Sequence, residues 1–328
     1  MSGCEVGRGL RRHRLGGSGV SVTELGIGAS CLGNLYTPVS DVDADAVVRD
    51  AWYQGVRYFD TAPHYGLGLA ERRLGAGLRA HADPSELALS TKVGRLLVPR
   101  TGGGDDMADN FAVPATHRRV WDFSPRGVRE SLESSLDRSG LGRIDLALLH
   151  DPDDHLDEAL REALPELVRL RELGRVGAVG VGMNSAEPLL RFAGEGVDAV
   201  MVAGRCTLLD QSAEARLLPL CARNGVSVLA AGPFNSGILA GGGGTFDYRP
   251  ATAELAGRAR RIAEVCAEHG VTLPQAALHY PLTRPAVASV VVGARSAQEV
   301  RTDAELLRRP VPAELWGRLR SERLLGPQ

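Results

Sequence analysis

The chain has 328 residues, 44% hydrophobic and 24% charged, with a formal net charge of −2. This balance excludes a disordered chain and a polybasic nucleic-acid platform, and no apolar run approaches the ~18 residues that cross a bilayer. The arginine-rich start is followed by no apolar segment, so no export signal is expected and the expected compartment is cytoplasmic. Five cysteines, Cys4, Cys31, Cys206, Cys221 and Cys266, include no C-x-x-C pair; they read as reduced thiols, with no metal site expected. Of 38 basic residues one alone, Lys92, is lysine.

In chain order, residues 12–23 carry the turn Gly16-Gly17-Ser18-Gly19 between two short stretches and predict a β-hairpin at a barrel floor. Apolar strand-like runs follow at 25–29, 58–60, 87–91, 146–150, 178–181, 200–203, 226–230 and 289–292. Helical spacing separates them, as in Ala44, Val47, Val48, Ala51 and Trp52, and again in Leu156, Leu160, Ala163, Leu164, Leu167 and Val168. Asp43, Ser124 and Ser185 stand where N-caps are expected, and Gly55, Gly140 and Gly225 where helices end. Residues 94–123 show no clear period and read as a long loop after the third strand.

Short apolar strands alternating with helices point to a parallel sheet buried on both faces. Eight such units predict an α/β fold of the (β/α)8 barrel type, one domain over residues 1–328. The rival doubly wound fold would place G-x-G-x-x-G after a strand. The nearest match, Gly75, Gly77 and Ala80, lies instead at the end of a predicted helix.

In a (β/α)8 barrel the carboxyl ends of the strands carry the chemistry. Asp60 ends the second run, Lys92 follows the third and His150 ends the fourth, with Tyr65 on the loop five residues past Asp60. Taken singly, Asp60 could cap a helix, Tyr65 could pack on the surface, Lys92 could be solvated and His150 could bond a turn. Together they form an acid/base cluster at one mouth. A tyrosine hydroxyl has an ordinary pKa of about 10, and a neighbouring ammonium can lower it by ~1–3 units while a carboxylate holds that ammonium in place. A histidine beside them can orient a carbonyl or alcohol oxygen.

Asp60-Thr61-Ala62-Pro63-His64-Tyr65-Gly66, Ser90-Thr91-Lys92-Val93-Gly94 and Leu148-Leu149-His150 together resemble the aldo-keto reductases, a likeness that runs from the hairpin to Gly293-Ala294-Arg295-Ser296. The resemblance implies that Tyr65 is the general acid/base, that Lys92 and Asp60 tune it, and that His150 orients the substrate oxygen. It also implies a nicotinamide cofactor, NADP or NAD. Gly293-Ala294-Arg295-Ser296 opens a helix after the eighth run, where free N–H groups favour an anion. By the likeness Arg295, Ser296 and Arg301 hold a 2′-phosphate, which favours NADP, while Glu299 and Asp303 meet the adenine and keep NAD open. Asn184 then contacts the nicotinamide carboxamide, and Gly232, Phe234, Asn235, Ser236, Gly237 and Leu239 belong to the loop closing over the pyrophosphate.

The chain departs from the family pattern where glutamine and tyrosine commonly meet the nicotinamide, at Ala203 and Ala231, so Phe234 is the expected cover for the ring. Glu71-Arg72-Arg73-Leu74-Gly75, residues 92–97, His150-Asp151-Pro152-Asp153 and residues 203–211 resemble the branch of D-threo-aldose 1-dehydrogenases and L-fucose dehydrogenases. The implied reaction is oxidation of an aldose at its anomeric carbon to a lactone, with His64, Arg95 and Trp121 in the substrate pocket. The alternatives are an aldehyde or ketone reductase using NADPH, including one for pyridoxal-type or natural-product substrates, a Schiff-base aldolase on Lys92, and a non-catalytic nicotinamide-binding subunit. The expected partner is a small molecule, with neither nucleic acid nor membrane; the oligomeric state is left open.

Overall fold

A closed barrel of eight parallel strands forms the centre of the computed structural model, which describes residues 9–241 and 244–326. The strands are Leu25–Gly28, Tyr58–Asp60, Ala88–Val93, Ile144–His150, Val176–Met183, Ala199–Ala203, Ser227–Ala231 and Val287–Gly293. Each pairs with its neighbour in sequence, and the eighth closes on the first. All eight expected strands are present, the second with the expected ends and the others with shifted ones. Among the described residues no helix is long and apolar enough to cross a membrane.

Side chains alternate across each strand, which decides what reaches the centre. Tyr58, Ala88, Leu146 and Leu148 pack inside the barrel, whereas Phe59, Leu89, Ala147 and Leu149 pack outward against the helices. Further along the same inner faces come Asp60, two residues past Tyr58, Lys92, four past Ala88, and His150, two past Leu148, all buried. The hairpin Arg12–Arg14 with Ser21–Thr23 contributes Leu15 and Val22 to the inner cluster and so closes the opposite end, as expected.

Three expectations change. Residues 94–123 are not a bare loop: Arg95–Pro99 pairs antiparallel with His117–Trp121, and Asp105–Asp106 pairs with Phe111–Pro114. The ladder bonds are local to this insertion, so the barrel's periodicity gives no sign of it. Gly94, with φ of 98°, turns the chain into the hairpin, and a Cβ there would lie 2.2 Å from the Phe123 ring. The first helix, Asp41–Tyr53, is capped by Ser40, whose hydroxyl accepts the Asp43 N–H at 3.0 Å; Asp43 lies inside the first turn. The helix expected through 156–168 contains a π turn at Ala159–Ala163, just before Pro165, which has no N–H to continue the ordinary bonding. Cys31, Cys206, Cys221 and Cys266 are buried free thiols, while Cys4 lies outside the described residues.

Candidate active site

The second, third and fourth strands bring the four expected residues into one cluster. Lys92 Nζ lies 2.6 Å from Asp60 Oδ2, 3.1 Å from the Thr61 carbonyl oxygen and 3.1 Å from the Tyr65 hydroxyl. Asp60 is held in turn by the Ser90 hydroxyl at 2.6 Å, and Ser90 meets the Tyr58 hydroxyl at 3.0 Å, so the carboxylate is fixed by the layer beneath it. Tyr65 comes in from a loop set by a close backbone approach. Gly66 has φ of 60°, and a Cβ there would lie 2.2 Å from the Gly33 carbonyl oxygen.

Burial and pairing set the protonation states. Asp60 raises the pKa of the buried Lys92 enough to outweigh the desolvation that opposes it, keeping the ammonium charged. The Tyr65 hydroxyl departs from the expectation, because burial raises its pKa by more than Lys92 lowers it. His150 is fully enclosed, its pKa driven well below the ordinary histidine value by desolvation and then by Arg95 and Lys92, so its ring is neutral. Its ring centroid lies 6.0 Å from that of Tyr65, and its Nδ1 is buried with no hydrogen-bond partner. Desolvation first, and then Arg95, push the His64 pKa down to about 2.

These groups line a cavity of about 390 Å3. One side of it is built from Gly28, Ala203, Ala231, Gly232 and Gly293, small residues at the ends of the first, sixth, seventh and eighth strands. These five form a shelf without bulky side chains of their own, and Met201, Val291 and Val292 of the same strands also line the cavity. Gly293 is tight as well, since a Cβ on it would lie 3.1 Å from Cys31 Sγ. Such a shelf would leave room for a flat nicotinamide ring beside Tyr65 and Lys92, and Asn184, which also lines the cavity, would be among the residues that hold it.

Residues 24–322 match the Aldo/keto reductase family. The chain belongs to that family. D-threo-aldose 1-dehydrogenase from a Pseudomonas species is 45% identical over 94% of this chain and 96% of its own length. Pyridoxal 4-dehydrogenase from Microbacterium luteolum is 38% identical over 96% of this chain and 98% of its own. Among solved structures, an aldo-keto reductase from Bacillus halodurans in its holo form superposes with a TM-score of 0.74 at 25% identity, covering 97% of each chain. The chain is thus an oxidoreductase of a family that uses nicotinamide cofactors.

In this aldo/keto reductase the other expected site residues divide into two groups. Asn184, Gly232, Gly293, His64 and Arg95 line the cavity. Trp121 does not, and lies behind Arg95, whose guanidinium stacks 4.2 Å from the indole centroid. Phe234 is also absent from the lining, being packed against two hydrophobic clusters, so it does not cover the shelf. Leu239 is fully buried in the core, and the Asn235 side chain donates to the Gly204 carbonyl at 3.1 Å. Ser236 and Gly237, with φ of 61° and 106°, form a kink within residues Asn235–Ala240, where the Ser236 hydroxyl accepts the Tyr248 N–H at 3.0 Å.

At the helix Ala297–Arg308 the expected anion-binding groups are engaged. Ser296 caps the helix by accepting the Glu299 N–H at 3.2 Å, and the Glu299 carboxylate takes the Arg295 N–H at 2.7 Å. The Arg295 guanidinium reaches the Thr37 hydroxyl at 2.7 Å and the Leu35 carbonyl. Arg301 pairs with Asp50. Asp303 is buried, its carboxyl raised to about 7 by desolvation and by Glu299.

Sequence reasoning missed Asp151, Asn110, Phe111, Met183, Met201 and Tyr248, all of which line the cavity. Asp151 adjoins His150 at a strand end, a signal that could have been read. Asn110 and Phe111 belong to the insertion and Tyr248 to a glycine-flanked loop, neither of which has a period to read.

Proposed function

We propose that the chain works as one (β/α)8 catalytic unit that oxidises a neutral aldose at its anomeric carbon to a lactone, with NAD favoured over NADP. The observation carrying the chemistry is the buried Asp60–Lys92–Tyr65 chain of contacts beside neutral His150. The 45% identity to a D-threo-aldose 1-dehydrogenase supports the substrate class. A bound nicotinamide supplies the hydride acceptor. The protein's own groups handle the proton and the oxygen. The hydroxyl on the reacting carbon gives its proton to the Tyr65 oxygen, Lys92 stabilises that oxygen while it is anionic, and His150 donates to the reacting oxygen to fix its direction. In the reverse direction Tyr65 returns the proton.

The engaged state of Arg295 and Arg301, with Glu299 on the first free N–H, supports NAD over the NADP that the arginines alone suggest. A charged Lys92 paired with Asp60 is unlike the neutral amine that a Schiff base requires, which weighs against the aldolase alternative. Reduction of aldehydes, pyridoxal-type ones included, stands as a second reading, because Tyr65 is raised above the ordinary tyrosine value and so rests protonated.

The test is nicotinamide absorbance with L-fucose, D-arabinose and L-galactose offered against NAD and NADP separately. Reduction of NAD by any of them supports the proposal. Silence with every sugar, together with NADPH oxidation when simple aldehydes are added, overturns it in favour of the reductase reading.

A further inference from the structure

Three charged side chains in the cavity wall stand outside the acid/base cluster, and one of them, Asp109, is taken up by Arg119 at 2.7 Å. Arg95 enters from the start of the hairpin strand Arg95–Pro99, and its Nε is buried with no hydrogen-bond partner. Asp151 is the residue directly after the fourth barrel strand. Its carboxylate pairs with Arg95, and its Oδ2 lies 3.6 Å from His150 Nε2. The two side chains are 12% and 18% exposed, so the pair is largely desolvated. Asp151 also sits at φ of 41°, in the left-handed region where a non-glycine residue is uncommon. A desolvated ion pair adds little stability, since the loss of hydration offsets the attraction. Strain of this kind concentrates at ligand sites.

We propose that Arg95 and Asp151 read a hydroxyl group on the carbon next to the reacting one, Asp151 accepting a hydrogen bond from its O–H and Arg95 donating one to its oxygen. This rests on the aldose reading above. A substrate oxygen held by His150 Nε2 brings the substituent of the adjacent carbon within reach of a carboxylate 3.6 Å from that same nitrogen. Charge agrees with a neutral, hydroxyl-rich ligand. Lys92 is paired with Asp60, Arg95 with Asp151 and Arg119 with Asp109, while both histidines are neutral, which disfavours a phosphorylated or carboxylated sugar. An analogue lacking the hydroxyl leaves a buried acceptor and a buried guanidinium unanswered, the arrangement in which a site discriminates most strongly.

The experiment compares an oxidised aldose with its 2-deoxy analogue, using the full chain with NAD. The wild type is expected to prefer the aldose by at least about 100-fold in kcat/KM. Asp151→Asn and Arg95→Gln are each expected to shrink that ratio to within about fivefold, while both still quench tryptophan fluorescence on binding NAD. A wild-type ratio near one overturns the proposal, and so does a full ratio in either variant. If a variant fails to bind NAD, the wild-type ratio decides alone. Absence of oxidation with every aldose overturns the substrate reading and this inference with it, whereas oxidation without discrimination overturns the inference only.

Discussion

Lys92, the one lysine of the chain, is bonded to Asp60 at 2.6 Å with both side chains at most 4% exposed. Removing one partner of such a pair leaves a charge buried without compensation, at a cost of about 3–5 kcal/mol. Lys92→Met is therefore expected to lower stability by about that amount in urea unfolding, and adding Asp60→Asn to recover most of it. Lys92→Arg is expected to lose turnover as well, because a planar fork does not fill the place of a compact ammonium. Unchanged stability in Lys92→Met would show that the pair is not held as described.

Tyr65→Phe removes the hydroxyl 3.1 Å from Lys92 and leaves the ring. Turnover is expected to fall more than about 1000-fold while the dissociation constant for the nicotinamide dinucleotide stays within a few fold, since the hydroxyl acts on the reacting oxygen. Steady-state kinetics and a fluorescence titration check the two halves. Retained turnover would move the proton transfer to another group.

The pH dependence follows from the direction in which Tyr65 is shifted. Oxidation needs the phenolate, and burial raises this hydroxyl above its ordinary value near 10, so kcat/KM for oxidation is expected to keep rising through pH 9 to 10. Reduction needs the protonated phenol, present throughout that range, so it is expected to be flat from about pH 6 to 9. His150 is neutral well below that window and adds no inflection near 6.5. A plateau in oxidation below pH 8 would contradict the burial of Tyr65.

Glu299→Gln keeps an oxygen for the Arg295 N–H at the helix start while removing the carboxylate charge. Affinity for NADP is expected to rise about tenfold, equivalent to about 1.4 kcal/mol, and affinity for NAD to stay within threefold. Titration of each dinucleotide measures both, and parallel changes would remove Glu299 from the choice between them.

The barrel was legible in the sequence because short apolar runs alternate with helices of period 3.6 along it, and the carboxyl end of the second run put Asp60 at the mouth. Lys92 and His150 could be placed on the same grounds. Phe234 and Trp121 could not, because their direction depends on packing: one is taken up by hydrophobic clusters, the other by the back of Arg95. Arg295 shows a further limit. Its position beside the helix start was readable, but its attachment to Leu35 and Thr37 joins residues more than 250 apart. The raised Tyr65 value likewise reflects enclosure by several elements at once, which no local spacing encodes.

The hairpin Arg95–Pro99 with His117–Trp121 forms a two-stranded ladder of its own, outside the barrel's hydrogen-bonded wall. Its side chains can therefore be exchanged with no change in barrel register or in the bonds that hold Lys92. Of the two side chains proposed to read the substrate, Arg95 belongs to this ribbon and can change while the proton-handling groups stay in place, whereas Asp151 adjoins His150 and ties the other half of that choice to the barrel itself.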